Sequence, residues 1–91
     1  MYKLRPTTKY NRDLKRMQKR GANMDKMIAI LKKLQAGKKL EKKNKNHGLS
    51  GEYAGQLECH IEPDWLLIYD VDNVSMCIYL TRTGTHGDLF E

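Results

Sequence analysis

The segment ECHIEPDWLLIY, residues 58–69, decides the fold because its apolar pattern changes from alternating to continuous. Apolar and polar side chains alternate over residues 56–62, which predicts a strand with one polar face, and His60 lies on that face. The pair Pro63-Asp64 predicts a turn, and residues 65–71 are apolar enough to form a central strand. The segment therefore predicts a β-hairpin with His60 close to its turn.

A third strand and a terminal turn are predicted after this hairpin. Asp72-Asn73 fits a tight turn, and residues 74–82 fit the returning strand. The residues from Gly84 onward predict a short turn that presents His86. Because consecutive hairpin strands lie side by side, we expect His60 and His86 to lie at neighbouring strand ends.

Two amphipathic helices are predicted ahead of the sheet. Residues 10–17 carry apolar side chains at i, i+4 and i+7, which predicts a helix capped by Thr7 or Thr8. A second apolar stripe over residues 24–34 predicts another helix, capped by Asn23. The short link between them implies an antiparallel αα-hairpin.

The order of these elements predicts an α+β fold in one domain, residues 1–91. A short N-terminal strand over residues 2–5 precedes the αα-hairpin, which packs on one face of an antiparallel sheet. The other face is left to hold a site. The longest apolar run, residues 65–69, is far too short for a membrane span, so we expect a cytoplasmic protein without a membrane partner.

Charge is distributed very unevenly along the chain. Residues 1–46 contain 16 of the 17 lysines and arginines and 3 of the 11 acids, a formal charge of +13, whereas residues 47–91 carry −7. Such an asymmetry indicates a surface that meets nucleic acid or an acidic protein, although lysines also keep amphipathic helices soluble. Residues 38–46 lack an apolar period and predict an exposed, mobile loop, whose lysines are candidates to bind RNA or the ribosome: Lys38, Lys39, Lys42, Lys43 and Lys45.

The side chains gathered by the hairpins suit acid–base cleavage of RNA. His60 and His86 can accept the 2′-hydroxyl proton and protonate the leaving 5′-oxygen, because imidazole exchanges protons near neutral pH. Arg82 can bind two phosphate oxygens at once. Trp65 and Phe90 offer faces on which bases stack.

Other interpretations of these residues remain open at this level. Arg82 can pair with Asp64 or Glu62, and a lone tryptophan is most often in the core. A metal site would draw on three histidines and a carboxylate, but they lack the short spacing typical of zinc sites: His47, His60, Asp64 and His86. We therefore predict no metal, and a domain this small has little room for a large cofactor.

Three motifs in this sequence resemble the YafQ branch of the RelE superfamily of bacterial toxins. They are NHGLSG at residues 46–51, HIEPDWLLIY at 60–69 and RTGTH at 82–86. The resemblance covers almost the whole chain and implies a RelE-like fold. By matching position, it implies a functional set of His47, His60, Asp64, Trp65, His86 and Phe90, with Arg82 placed by its motif.

The resemblance also implies an activity and partners. It implies a ribosome-dependent endoribonuclease, the toxin of a type II toxin–antitoxin system, which cleaves mRNA in the decoding site without a metal. It implies an acidic antitoxin that neutralises the toxin and binds operator DNA together with it. Which histidine is the base, and whether Asp64 orients a histidine or carries a proton, stays open. The alternatives are a noncatalytic RNA-binding or ribosome-binding module and a transcriptional co-repressor partner.

Overall fold

The computed structural model describes residues 1–90 and confirms the α+β class, with helices packed on one face of a sheet. Only Glu91 of the predicted 1–91 domain lies outside the described residues. The elements are β1 (Lys3–Pro6), α1 (Thr8–Lys19), α2 (Met24–Gln35), β2 (His47–Gly48), β3 (Leu57–Glu62), β4 (Trp65–Asp72), β5 (Cys77–Gly84) and α3 (His86–Phe90). No helix among the described residues is long and apolar enough to cross a membrane.

The sheet is mixed: the predicted antiparallel meander of the last three strands is confirmed, but β1 adds a parallel pair that was not predicted. Its strand order is β1-β5-β4-β3-β2, and β1 runs parallel to β5 while the other pairs are antiparallel. The two helices separate β1 from β2 in the chain, and the two strands lie at opposite edges of the sheet. The neighbour of β1 is therefore β5, the last strand, and not β2. The parallel pair is continued by the Thr7 amide, which donates to the Leu80 carbonyl at 3.0 Å.

The helix boundaries follow the capping residues. Thr7 precedes α1, and its hydroxyl accepts a hydrogen bond from the Tyr10 amide at 3.1 Å. Asn23 caps α2 by accepting from the Asp25 amide at 3.0 Å. Each cap satisfies a first-turn amide that has no partner inside the helix, as the sequence predicted.

The hairpin between β4 and β5 is longer than the predicted two-residue turn. Residues 73–76 form the loop, so β5 begins at Cys77 and not at residue 74. An Asp72 carboxylate oxygen accepts hydrogen bonds from the amides of Val74 and Ser75, at 2.9 and 3.2 Å. Asp72 therefore folds the chain locally into a wider turn.

The two faces of the sheet differ in what covers them. The helix-side core combines both helices with alternate residues of the three long strands: Tyr10, Met17, Met27, Ile30, Leu34, Cys59, Ile61, Trp65, Leu67, Tyr69, Ile78 and Leu80. The opposite face holds only a small cluster of Leu66, Ile68 and Leu89, with Leu49 and Tyr53 packed against it. This second face remains open enough to carry polar side chains.

Candidate active site

His86 begins α3, and its ring is held by Asp64 from the turn between β3 and β4. The Asp64 Oδ1 atom accepts a hydrogen bond from the His86 backbone N–H at 2.9 Å and lies 2.6 Å from ring Nδ1. These contacts hold the pKa of Asp64 below its ordinary value. Asp64 is therefore a carboxylate at neutral pH, and it orients His86 so that Nε2 is free for proton exchange.

His60 lies near the end of β3 and faces His86. Their ring centroids are 5.8 Å apart. His60 Nδ1 is 3.2 Å from the Pro63 carbonyl oxygen, which can only accept, so Nδ1 donates, and Nε2 faces Glu58, whose Oε1 atom lies 3.4 Å away. The His60 side chain is 12% exposed and that of His86 is 54% exposed. The two hairpins, β3-β4 and β4-β5, thus together bring the two histidines close to each other, as the sequence predicted.

Glu58 connects His60 to His47. Residues 47 and 58 are paired across β2 and β3, which places Glu58 Oε1 3.2 Å from His47 Nε2 and 3.4 Å from His60 Nε2. Glu58 is buried, so its charge is poorly screened by water. His47 Nδ1 also faces an acceptor, the Gly48 carbonyl at 3.0 Å, and a neutral ring can donate to only one of its two neighbours.

These three residues are the group in the described chain that could hold a metal ion. Ligand atoms of His47, Glu58 and His60 all lie within 4.8 Å of one another. Of the four residues considered from the sequence, only His47 and His60 belong to this group. The other two, Asp64 and His86, pair with each other instead. Two imidazoles and a carboxylate are ligands that zinc and copper accept.

An aromatic cleft of about 430 Å³ adjoins His86 through Phe90, and its lining also includes Ser50, Glu52, Tyr53, Asp88 and Leu89. Phe90 on α3 packs edge-to-face on Tyr53, with ring centroids 5.9 Å apart, and its ring is 6.5 Å from that of His86. Phe90 is 48% exposed, so a face of its ring is open to a base. This exposure is compatible with the base stacking predicted for Phe90 from the sequence. Arg82 also lines this cleft.

Arg82 is held by Asp13 of α1, and not by Asp64 or Glu62. Its Nε and Nη2 atoms donate to the two Asp13 carboxylate oxygens at 2.6 and 3.1 Å. The Thr83 amide donates to the same carboxylate at 3.2 Å. Asp13 is buried, and the Arg82 side chain is 20% exposed. The guanidinium is therefore fixed in orientation, and its Nη1 atom, 3.5 Å from the Tyr53 hydroxyl, is directed toward the aromatic cleft.

Trp65 does not have the position that base stacking requires, so its predicted substrate contact was wrong. The residue is 1% exposed and belongs to the helix-side core. Its indole N–H donates to the Thr83 hydroxyl at 2.9 Å, and that hydroxyl donates to the Leu66 carbonyl at 2.6 Å. Trp65 thus links β4 to β5 through a buried hydrogen bond, and its role is to stabilise the sheet that carries the site.

The lysine-rich segment is exposed as predicted, but it is more structured than a plain loop. Residues 42–44 form a 3-10 turn, and Asn44 is buried, where its side-chain amide donates to the His60 carbonyl at 2.8 Å. All five candidate lysines are exposed: Lys38, Lys39, Lys42, Lys43 and Lys45. Asn44 therefore anchors a cationic segment directly to the strand that carries His60.

Three residues of the site were missed from the sequence. Glu58 could have been recognised because it lies two positions before His60 on the same strand face. Asp13 could have been recognised because it falls on the apolar stripe of α1, one turn after Tyr10. Tyr53 has no such signal, since it lies in an irregular segment whose position depends on the whole fold.

The comparison with protein families identifies the chain. The sequence model of the family described as "Bacterial toxin of type II toxin-antitoxin system, YafQ" matches residues 2–91. The chain belongs to the YafQ family of bacterial toxins. This confirms the resemblance found in the three sequence motifs, and it makes the chain a toxin of a type II toxin–antitoxin system.

Individual similar proteins agree with this assignment. The chain is 37% identical over 82 residues, 89% of this chain and 87% of the relative, to the "mRNA interferase toxin YafQ" of Escherichia coli K12. It is similar to the toxin in a crystal structure of the E. coli DinJ-YafQ complex, with a TM-score of 0.89, 30% identity and full coverage of both chains. It is also similar to a metal-bound toxin from Helicobacter pylori, with a TM-score of 0.92, 31% identity, and coverage of 99% of this chain and 100% of that one.

Proposed function

We propose that this YafQ-family toxin is an endoribonuclease that cleaves mRNA in the decoding site of the ribosome, by acid–base chemistry that uses no metal. The observation that carries the proposal is the pair of imidazoles of His60 and His86, 5.8 Å apart, with His86 next to Phe90 at the edge of the aromatic cleft. A relative named mRNA interferase toxin supports the same substrate class. Ordinary binding of RNA needs cations and aromatic rings, but it needs no pair of adjoining histidines.

The proposed reaction is attack of the ribose 2′-hydroxyl on the adjacent phosphorus. One histidine of the pair His60 and His86 takes the 2′-hydroxyl proton at Nε2, and the other gives a proton to the leaving 5′-oxygen. The new 2′ O–P bond and the broken P–O5′ bond leave a 2′,3′-cyclic phosphate and a 5′-hydroxyl. Asp64 holds His86 in the required tautomer, and Glu58 gives the His60 ring an anionic neighbour.

Charge and base contacts complete the proposed site. Arg82 stabilises the additional negative charge on the phosphate in the transition state, and its fixed orientation means little reorganisation is needed. Phe90, supported by Tyr53, stacks on a base and holds the strand. His47 acts through Glu58. The five exposed lysines of residues 38–45 contact ribosomal RNA and add affinity that depends on salt.

We also propose an acidic antitoxin as the neutralising partner, with operator DNA bound by the pair. In the E. coli DinJ-YafQ complex, DinJ assembles with a YafQ chain that is similar to this one. The formal charge of +13 on residues 1–46 is complementary to an acidic protein. A chain this basic would thus be covered by its antitoxin on the same surfaces that meet RNA.

The proposal predicts defined product ends on programmed ribosomes. Wild-type protein should cut a defined mRNA at one codon of the decoding site and leave a 2′,3′-cyclic phosphate upstream and a 5′-hydroxyl downstream. The measurement is end mapping with and without a chelator that removes zinc and copper but leaves magnesium. Ribosome binding without a cut would support the noncatalytic module instead, and dependence on the removed metals would contradict the chemistry.

Binding of a transition metal is expected to inhibit the toxin. The donor set of His47, Glu58 and His60 fits a zinc or copper ion, and such an ion would occupy the His60 nitrogen that the reaction needs. A similar toxin from H. pylori is metal-bound, which supports metal binding by this fold. Zinc should therefore lower the cleavage rate by about tenfold or more at saturation, and a chelator should restore it.

NMR titration with zinc checks where the ion binds. The ring resonances of His47 and His60 should shift first, while that of His86 stays in place. The variant His47→Gln should bind zinc more weakly and be less inhibited relative to its own metal-free rate. Zinc that stimulates cleavage, or that shifts His86 before the other two, would contradict this assignment.

A further inference from the structure

A second depression, on the α1 side of Arg82, is lined only by charged side chains. Its volume is about 180 Å³, and the residues that form it are Lys9, Arg12, Asp13, Arg16 and Arg82. Four of the five are cations, and no aromatic or aliphatic residue lines it. The depression offers a base no aromatic ring, whereas an anion meets several donors at once.

The single carboxylate in this depression is already occupied. Both oxygens of Asp13 accept hydrogen bonds from Arg82, one of them also accepts from the Thr83 amide, and Arg16 lies 3.6 Å from the other. Asp13 therefore offsets one of four positive charges. Within residues 1–90, neither Lys9 nor Arg12 has a carboxylate within ion-pair distance.

The spacing along α1 concentrates charges that repel one another. Lys9, Arg12 and Arg16 follow at i, i+3 and i+7 on one side of the helix, and like charges at such spacings destabilise a helix. Lys15 and Lys19 belong to the same helix but lie outside the depression. An anion bound in the depression would reduce the repulsion among Lys9, Arg12 and Arg16, but not that between Lys15 and Lys19.

Arg82 links this depression to the aromatic cleft, because it lines both. We propose that the depression formed by Lys9, Arg12, Arg16 and Arg82 is a subsite for a phosphate of the RNA backbone, next along the strand from the phosphate that is cleaved. The inference rests on the proposed ribonuclease function and deepens it. Arg82, fixed by Asp13, lies between the two phosphates and sets the register of the strand against His60 and His86.

The test compares short and long RNA ligands that cannot be cleaved. Fully 2′-O-methylated oligoadenylates of two and six nucleotides are titrated by NMR into wild type, Arg12→Gln/Arg16→Gln and Lys15→Gln/Lys19→Gln. Both double variants lose two positive charges from α1, and glutamine preserves helix propensity. The dinucleotide has one phosphate, for the cleft, and the hexanucleotide can also reach the depression.

The expected result is that Arg12→Gln/Arg16→Gln loses affinity for the hexanucleotide but not for the dinucleotide. Arg12→Gln/Arg16→Gln should bind the hexanucleotide about tenfold more weakly than wild type and the dinucleotide nearly as well. Its salt slope for the hexanucleotide should fall by about 0.7, the value for one phosphate contact on a single strand. Lys15→Gln/Lys19→Gln should lose less than about threefold for either ligand, since screened charges outside the subsite act only at long range.

Equal losses of hexanucleotide affinity in the two double variants would contradict the subsite. They would show that the RNA responds to the overall positive charge of α1 and not to a local contact. Tighter binding of hexaglutamate than of the hexanucleotide, with the same dependence on Arg12 and Arg16, would assign the depression to an acidic protein. Cleavage on ribosomes is measured separately with wild type. A wild type that does not cut contradicts the proposed function, whereas one that cuts and binds without this length dependence contradicts only the subsite.

Discussion

The variant His86→Ala is expected to cleave mRNA on programmed ribosomes at least about 100-fold more slowly than wild type, while it binds ribosomes nearly as well. The reason is that His86 supplies one of the two proton transfers, and its Nε2 atom has no other partner among the described residues. His60→Ala should have a similar effect from the other side of the cleft. Single-turnover cleavage and ribosome sedimentation measure the two quantities independently.

Because His60 and His86 act in the same reaction, their single and double variants should also differ from wild type in a characteristic way. The double variant should be little worse than either single one, because residues that act as a unit are strongly non-additive. Val74→Ala, in the exposed hairpin loop, is the matched control and should leave rate and binding unchanged. Losses of ribosome binding in proportion to cleavage would show that the histidines bind and do not catalyse.

Asp13→Asn is expected to destabilise the fold by about 3 kcal/mol, because it leaves the Arg82 guanidinium without its anionic partner in a mostly buried position. For a domain of this size, that change lowers the melting temperature by at least roughly 12 °C. Below that temperature cleavage should also fall, since Arg82 is no longer fixed beside the aromatic cleft. Thermal unfolding and single-turnover cleavage measure the two effects.

The control for this prediction is Asp25→Asn on the other helix. It makes the same chemical change at an exposed carboxylate in the first turn of α2, where the helix dipole accounts for only about 0.5 kcal/mol. An equal loss of stability in both variants would show that Asp13 contributes no more than an ordinary surface charge. Full activity in a folded Asp13→Asn protein would contradict the role given to Arg82.

The sequence was sufficient for features that depend on nearby residues. Helix caps at Thr7 and Asn23, the turn at Pro63-Asp64 and the polar side of β3 all follow from side chains that act within a few positions. The meeting of His60 with His86 was also predictable, because β3 and β5 both pair antiparallel with β4, so that their ends lie at the same end of the sheet. The YafQ family could be identified from three short motifs.

Tertiary structure alone decided the features that join distant parts of the chain. The parallel pairing of β1 with β5, the burial of Trp65 and the Asp13–Arg82 ion pair each join residues at least 18 positions apart. Local sequence patterns carry no information on which of several possible partners a residue meets across such a distance. A carboxylate in a helix and a guanidinium in a strand acquire their partnership only when packing of α1 on β5 removes water from both. The sequence by itself thus determined the family, the elements and the pair of histidines, and packing determined how the arginine and the aromatic rings are held around them.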